Sequence, residues 1–145
     1  MTPRLGSILA TFAFLSLATF AHASNVRVVA KGHDPVAYFT EGKPVKGDPR
    51  FAYEWDDGLY HFASARNRDT FAADPDRYAP RFGGYCTGSL SAGKFNEADP
   101  NNWVIAEGRL YLFGEKLTPE QAKAFPEKSP EKFVKAKANW DGRKR

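Results

Sequence analysis

A chain of 145 residues with 21 Lys and Arg against 17 Asp and Glu has room for one hydrophobic core, not two, and carries a net charge of only +4. Acids and bases are interspersed except at the terminal Arg143-Lys144-Arg145. The clustered basic face of a nucleic-acid-binding protein is therefore absent. A single cysteine, Cys86, excludes an internal disulfide and a closed multi-thiolate metal site.

The first element in the chain is a targeting segment. One basic residue, Arg4, precedes an apolar run from Leu5 to Phe20, and Ala21-His22-Ala23 offers the small-x-small pattern of a signal-peptidase site. The run is shorter than the ~20 apolar residues of a membrane span and includes Gly6, Ser7, Thr11 and Ser16. Residues 1–23 are thus expected to be a cleaved signal peptide. Export to the periplasm or beyond follows, with no stable membrane anchor afterwards. Residues 24–145 would be the mature protein, its core spanning about 26–140 and its basic tail 141–145.

A short strand is expected over Val26–Ala30. Asp34-Pro35 then opens a helical turn through Phe39, since Asp caps free amides and Pro suits the first helical position. Phe51, Tyr53 and Trp55 alternate with smaller or polar residues, and Asp57-Gly58 turns the chain into Leu59–Ala63, which makes a hairpin. Ser64 caps a helix running to about Ala73, ended by Asp74-Pro75, and a short turn follows through Tyr78. Gly83 to Gly93 reads as a loop. Trp103–Ala106 and Leu110–Phe113 flank Glu107-Gly108 as a second hairpin. Thr118 with Gln121 forms a capping box for a helix from Pro119 to about Phe125.

Ser129-Pro130 starts a last helix with a weaker cap, presenting Phe133, Ala136 and Trp140 on one face. The pattern predicts an α+β fold: a small single domain of two antiparallel hairpins packed against short helices and a C-terminal helical segment. No repeat or low-complexity linker is expected.

Several blocks in this order resemble the YHS-domain family. They are Gly32-His33-Asp34-Pro35-Val36-Ala37-Tyr38-Phe39, Tyr60-His61-Phe62-Ala63-Ser64 with Phe71, Pro75, Tyr78 and Pro80, and Gly83-Gly84-Tyr85-Cys86. Trp103 and Leu110-Tyr111-Leu112 fit the exported bacterial branch of YHS domain-containing (seleno)proteins. The resemblance covers about Val26 to Trp140 and implies redox chemistry or soft-metal binding at Cys86, the position at which selenocysteine is expected in some relatives. More distant relatives look like small metal-binding modules, sometimes attached to copper-transport proteins. Two departures stand out. The family more usually has an aromatic at His33, and the extra cysteines of metal-binding relatives are replaced here by Ala63, Ser64, Asn67 and Thr70.

Three functions follow from these residues. One is a periplasmic copper-binding module with Cys86, His61 and His33 as candidate ligands, since thiolate and imidazole suit Cu(I). Another is a thiol redox protein in which Cys86 works with a partner protein's thiol, as there is no resolving cysteine in the chain. The third is a structural or interaction domain with an inert, buried Cys86. Arg81 is expected to supply positive charge near the thiol. Tyr38, Tyr60, Tyr85 and Trp103 are expected as core and pocket walls beside it. Asp34 and Ser64 read as helix caps rather than catalytic groups.

Overall fold

The computed structural model describes residues 25–143; the expected signal peptide lies outside them. The fold is α+β, as the sequence pattern implied. Strand β1 is only Arg27–Val28, and a 3₁₀ turn over Val29–Gly32 replaces the rest of the expected first strand. Ala30 and Lys31 within that turn have φ of 52° and 49°, which no strand accommodates. Helix α1 (Pro35–Thr40) follows, then β2 (Asp48–Trp55), β3 (Gly58–Phe62), α2 (Ala65–Ala73) and α3 (Pro75–Tyr78). A second 3₁₀ turn over Arg81–Gly84 leads to α4 (Thr87–Ser91), β4 (Asp99–Ala106), β5 (Arg109–Phe113), α5 (Pro119–Lys128) and α6 (Pro130–Gly142).

Strands order as β1-β3-β2 in one sheet, with β1 parallel to β3, and as β4-β5 in the other. Both hairpins close through two residues of positive φ, Asp56-Asp57 (43° and 62°) and Glu107-Gly108 (51° and 70°). This handedness matches the twist of the flanking strands. The first turn therefore sits one residue earlier than the Asp57-Gly58 signal suggested.

The element order exposes something the sequence reading excluded: the second half repeats the first. Each half begins with a 3₁₀ turn containing left-handed residues, followed by an isolated bridge, His33↔Lys46 in one and Tyr85↔Glu97 in the other. Each bridge encloses a short capped helix and precedes a bulged hairpin of the same register. Asp48 faces Phe62 and Ala52 faces His61 in the first; Asp99 faces Phe113 and Trp103 faces Leu112 in the second. In both bulges the leading aspartate accepts the amide two residues on, from Arg50 and from Asn101.

A capped helix follows each hairpin, and an aromatic on it meets the last strand residue: Phe62–Phe71 at 5.1 Å and Phe113–Phe125 at 4.7 Å. The sequence signal is sparse. Gly42-Lys43 and Asp48-Pro49 match Gly93-Lys94 and Asp99-Pro100, and Leu59-Tyr60-x-Phe62 matches Leu110-Tyr111-x-Phe113.

The halves share one core. Val29, Tyr38, Tyr60 and Phe62 from the first pack with Cys86, Ala98, Leu110 and Leu112 from the second. Burying each large side chain of that cluster contributes roughly 1.5–3 kcal/mol. Close approach of the two 3₁₀ turns requires Gly84. Its φ is +73°, and a Cβ there would lie 2.8 Å from Val29 Cγ1. Tyr38 adds a cross-tie by donating its hydroxyl to Pro100 O at 2.8 Å. Helix α6 extends past the expected core limit to Gly142, and Arg143, assigned from sequence to a loose tail, stacks on Trp140.

Candidate functional site

Cys86 lies in a more regular place than the loop expected over Gly83–Gly93. It is the N-cap of α4, and it is 6% exposed. Its Sγ accepts the amide of Ser89 at 3.4 Å and the amide of Gly114, just past β5, at 3.1 Å. The backbone amide of Cys86 donates to Asn96 O.

The internal repeat explains this geometry, because Asp34 occupies the same position in the first half. Asp34 caps α1, donates its own amide to Val45 O, and accepts from Val36, Ala37 and the amide of Ala63, just past β3. Its Oδ2 also takes Asn67 Nδ2 at 2.7 Å. Sequence reasoning identified Asp34 as a cap; the structure gives Cys86 the same task. Two N–H dipoles directed at one sulfur favour electron density there, whatever chemistry the sulfur performs.

The histidines stand elsewhere. His33 Nδ1 is 3.1 Å from Ala30 O; a carbonyl only accepts, so Nδ1 carries the hydrogen. His61 lies on β3 with its Nδ1 against Gly32, where a Cβ would come within 3.1 Å. Both rings feel the Lys46 ammonium. Burial, foremost, and then Lys46 hold the His61 pKa below its usual value. Burial also lowers that of His33, with Lys46 adding to it against the opposing Ala30 hydrogen bond. Neither imidazole hydrogen-bonds to Cys86 Sγ, and among the described residues no three His, Cys, Asp or Glu side chains gather as a metal-holding group. Cys86, His61 and His33 are not gathered as one such group of three among the described residues.

The expected pocket residues also divide. Tyr38 and Trp103 meet edge to face at 5.1 Å in the core, where Tyr38 is 1% exposed. Arg81 lines a pocket with Trp140 and Asp141, and its charge helps to lower the Asp141 pKa. Tyr60 lines that pocket too, and with Tyr85 it lines a neighbouring opening, a cleft of about 160 Å³ between the two halves. The β2–β3 turn and β1 form one side; Gly83, Tyr85 and Phe95 form the other, and Trp140 and Arg143 close the end.

Two arginines dominate that cleft. Arg27 lies 3.8 Å over the Tyr85 ring, donates to both Glu97 carboxylate oxygens and gives Nη1 to Gly83 O at 2.7 Å. Arg143 lies 3.0 Å over Trp140, with Nη2 3.7 Å from Asp56 Oδ2. Desolvation lowers the Arg143 pKa, and burial raises that of Tyr60 well above the usual tyrosine range, helped by Asp56. Sequence reasoning missed Arg27, Asp56, Phe95, Trp140 and Arg143 as site residues. The available signal was the repeat: Pro44 and Lys46 of the first half become Phe95 and Glu97 in the second, a change that builds one wall of the cleft.

Comparison with protein-family models, curated proteins and solved structures finds no match for this chain. Among the described residues no helix is long and apolar enough to cross a membrane.

Proposed function

We propose that this protein is a binding module whose ligand occupies the cleft between the two halves, with Cys86 serving as the cap that ties α4 to the end of β5. The observation carrying this reading is the cleft itself. Half-buried arginines, the buried Tyr60 of the first half and the packed rings of Tyr85, Phe95 and Trp140 converge on one cavity. Concave sites at the junction of two units, with polar groups of shifted pKa, are where ligands usually bind. Export remains part of the proposal, resting on residues 1–23, and places the module in the periplasm or outside the cell. Screening a mixed fragment library by ligand-observed NMR tests the reading. Binding that is lost in Trp140→Ala, while that variant keeps its fold by circular dichroism, supports it; no fragment bound by the wild type sinks it.

The two amides on Cys86 Sγ support a second reading, the thiol chemistry implied by the YHS resemblance, with copper or an external thiol as its partner. Titrating Cu(I) and Zn(II) into reduced wild type and Cys86→Ala, beside alkylation rates against pH, separates the two. Stoichiometric Cu(I) bound only by the wild type, or fast alkylation of the folded protein, supports thiol chemistry. Identical metal binding with a thiol that reacts only when unfolded leaves Cys86 as a cap.

A further inference from the structure

We infer that the cleft takes a small planar carboxylate, of the size of one aromatic ring bearing an acid group. This inference rests on the cleft being the binding site. Size comes first: a cavity of about 160 Å³ is close to the ~150 Å³ that accommodates benzene in an engineered core.

Hydrogen-bonding capacity sets the sign of the charge. A guanidinium has five N–H donors. Arg27 uses one each from Nε, Nη1 and Nη2 on Glu97 and Gly83, so both terminal nitrogens retain a hydrogen. Arg143 gives Nη1 to Trp140 O and lies beyond hydrogen-bond distance of Asp56, so it retains more. Tyr60, which also lines the cleft, is kept protonated by burial. The site has donors to spare, and a carboxylate supplies acceptors in pairs that match the guanidinium fork.

Burial decides between the two signs of charge present. The arginine side chains are 24% and 20% exposed, whereas Asp56 is 35% exposed and Asp57 stands on the solvent-exposed turn. Solvent screens the acids on the rim more than the arginines inside, so the interior favours an anion. Shape follows from the walls. Tyr85, Phe95 and Trp140 pack edge to face or tilted, with ring centroids 5.4–6.4 Å apart, and the Arg27 and Arg143 guanidiniums lie over the Tyr85 and Trp140 rings. A flat ligand matches the planar guanidiniums, which stack on aromatic rings.

The test uses benzoate, benzyl alcohol and benzylamine, followed by the indole N–H resonance of Trp140 in the purified protein, with Trp55 and Trp103 as internal references. Benzoate is expected to shift the Trp140 signal saturably and to bind at least several-fold tighter than the other two. Arg143→Gln should weaken benzoate about tenfold or more, the loss of a charge-assisted contact. Glu97→Gln should strengthen it, because two Arg27 donors are released; a purely structural role for the pair predicts no gain. Benzylamine or benzyl alcohol binding as tightly as benzoate overturns the carboxylate while leaving the cleft as the site. Failure of all three to move Trp140 overturns the aromatic-acid ligand, and the cleft reading falls with it only if the fragment library also yields no ligand.

Discussion

The two halves place different side chains at the same structural position, and Asp34 and Cys86 show it most clearly. Both cap a short helix and accept the amide that follows the second hairpin strand. Asp34 is fully buried and uses two oxygens for four donors, binding α1, the end of β3 and α2 together. Cys86 has one sulfur and two donors, and Gln121, the counterpart of Asn67, is turned instead to its own capping box with Thr118. A lone cysteine invites a chemical explanation; its counterpart shows that the position is first of all a junction. The chemistry that distinguishes the halves lies at the Tyr85↔Glu97 bridge, where the first half has His33↔Lys46.

The largest effect should come from removing the stronger junction. Asp34→Ala strands buried donors from two helices and a strand end, and should cost about 3 kcal/mol or more. Cys86→Ala should cost about 1–2 kcal/mol, since fewer and weaker bonds are lost. Urea unfolding of both variants measures the gap, and equal losses would break the comparison.

A smaller effect of opposite sign is expected at Thr87, whose counterpart is Pro35. Thr87 is fully buried, and its hydroxyl has no hydrogen-bond partner among the described residues. Cys86 has φ −59° and ψ 113°, which a following proline accepts. Thr87→Pro should therefore stabilise the protein by about 0.5–1 kcal/mol, seen as a raised unfolding midpoint.

The smallest effect concerns pH. His61 corresponds to Leu112 and has a lowered pKa in the folded state. Below about 6.5 the unfolded chain takes up the proton first, so stability present at neutral pH is lost as pH falls through the folded value. His61→Leu should narrow the difference in unfolding free energy between pH 7.5 and pH 5. An unchanged difference would show that the ring is not held neutral by its surroundings.

Local features were readable without coordinates. Asp34, Ser64 and Thr118 cap helices as their spacing implied, and the Thr118–Gln121 box forms in full. Ser129 makes no side-chain cap bond, in keeping with the Lys132 that breaks its box. Both hairpins appear, and Phe133, Ala136 and Trp140 face the interior. These depend on residues within a few positions of one another, where side-chain chemistry and backbone preference act directly.

The positive-φ 3₁₀ turns were not legible, because Ala30, Lys31 and Phe82 have no intrinsic preference for that region, and the buried Ala30 and Phe82 are fixed by tertiary packing. The repeat was masked for a related reason. Equivalent positions need only the same backbone and burial, so Ala52 can answer to Trp103, and His61 to Leu112.

By itself, then, the sequence determined the α+β class, the two hairpins, the capped helices and the single unpaired thiol, all set by local pattern and by counting. Tertiary structure alone decided that Cys86 repeats Asp34, and that Arg27 meets Tyr85 while Arg143 faces Asp56. Each of those facts joins residues far apart in the chain, and such contacts exist only once a shared core has brought the two halves together.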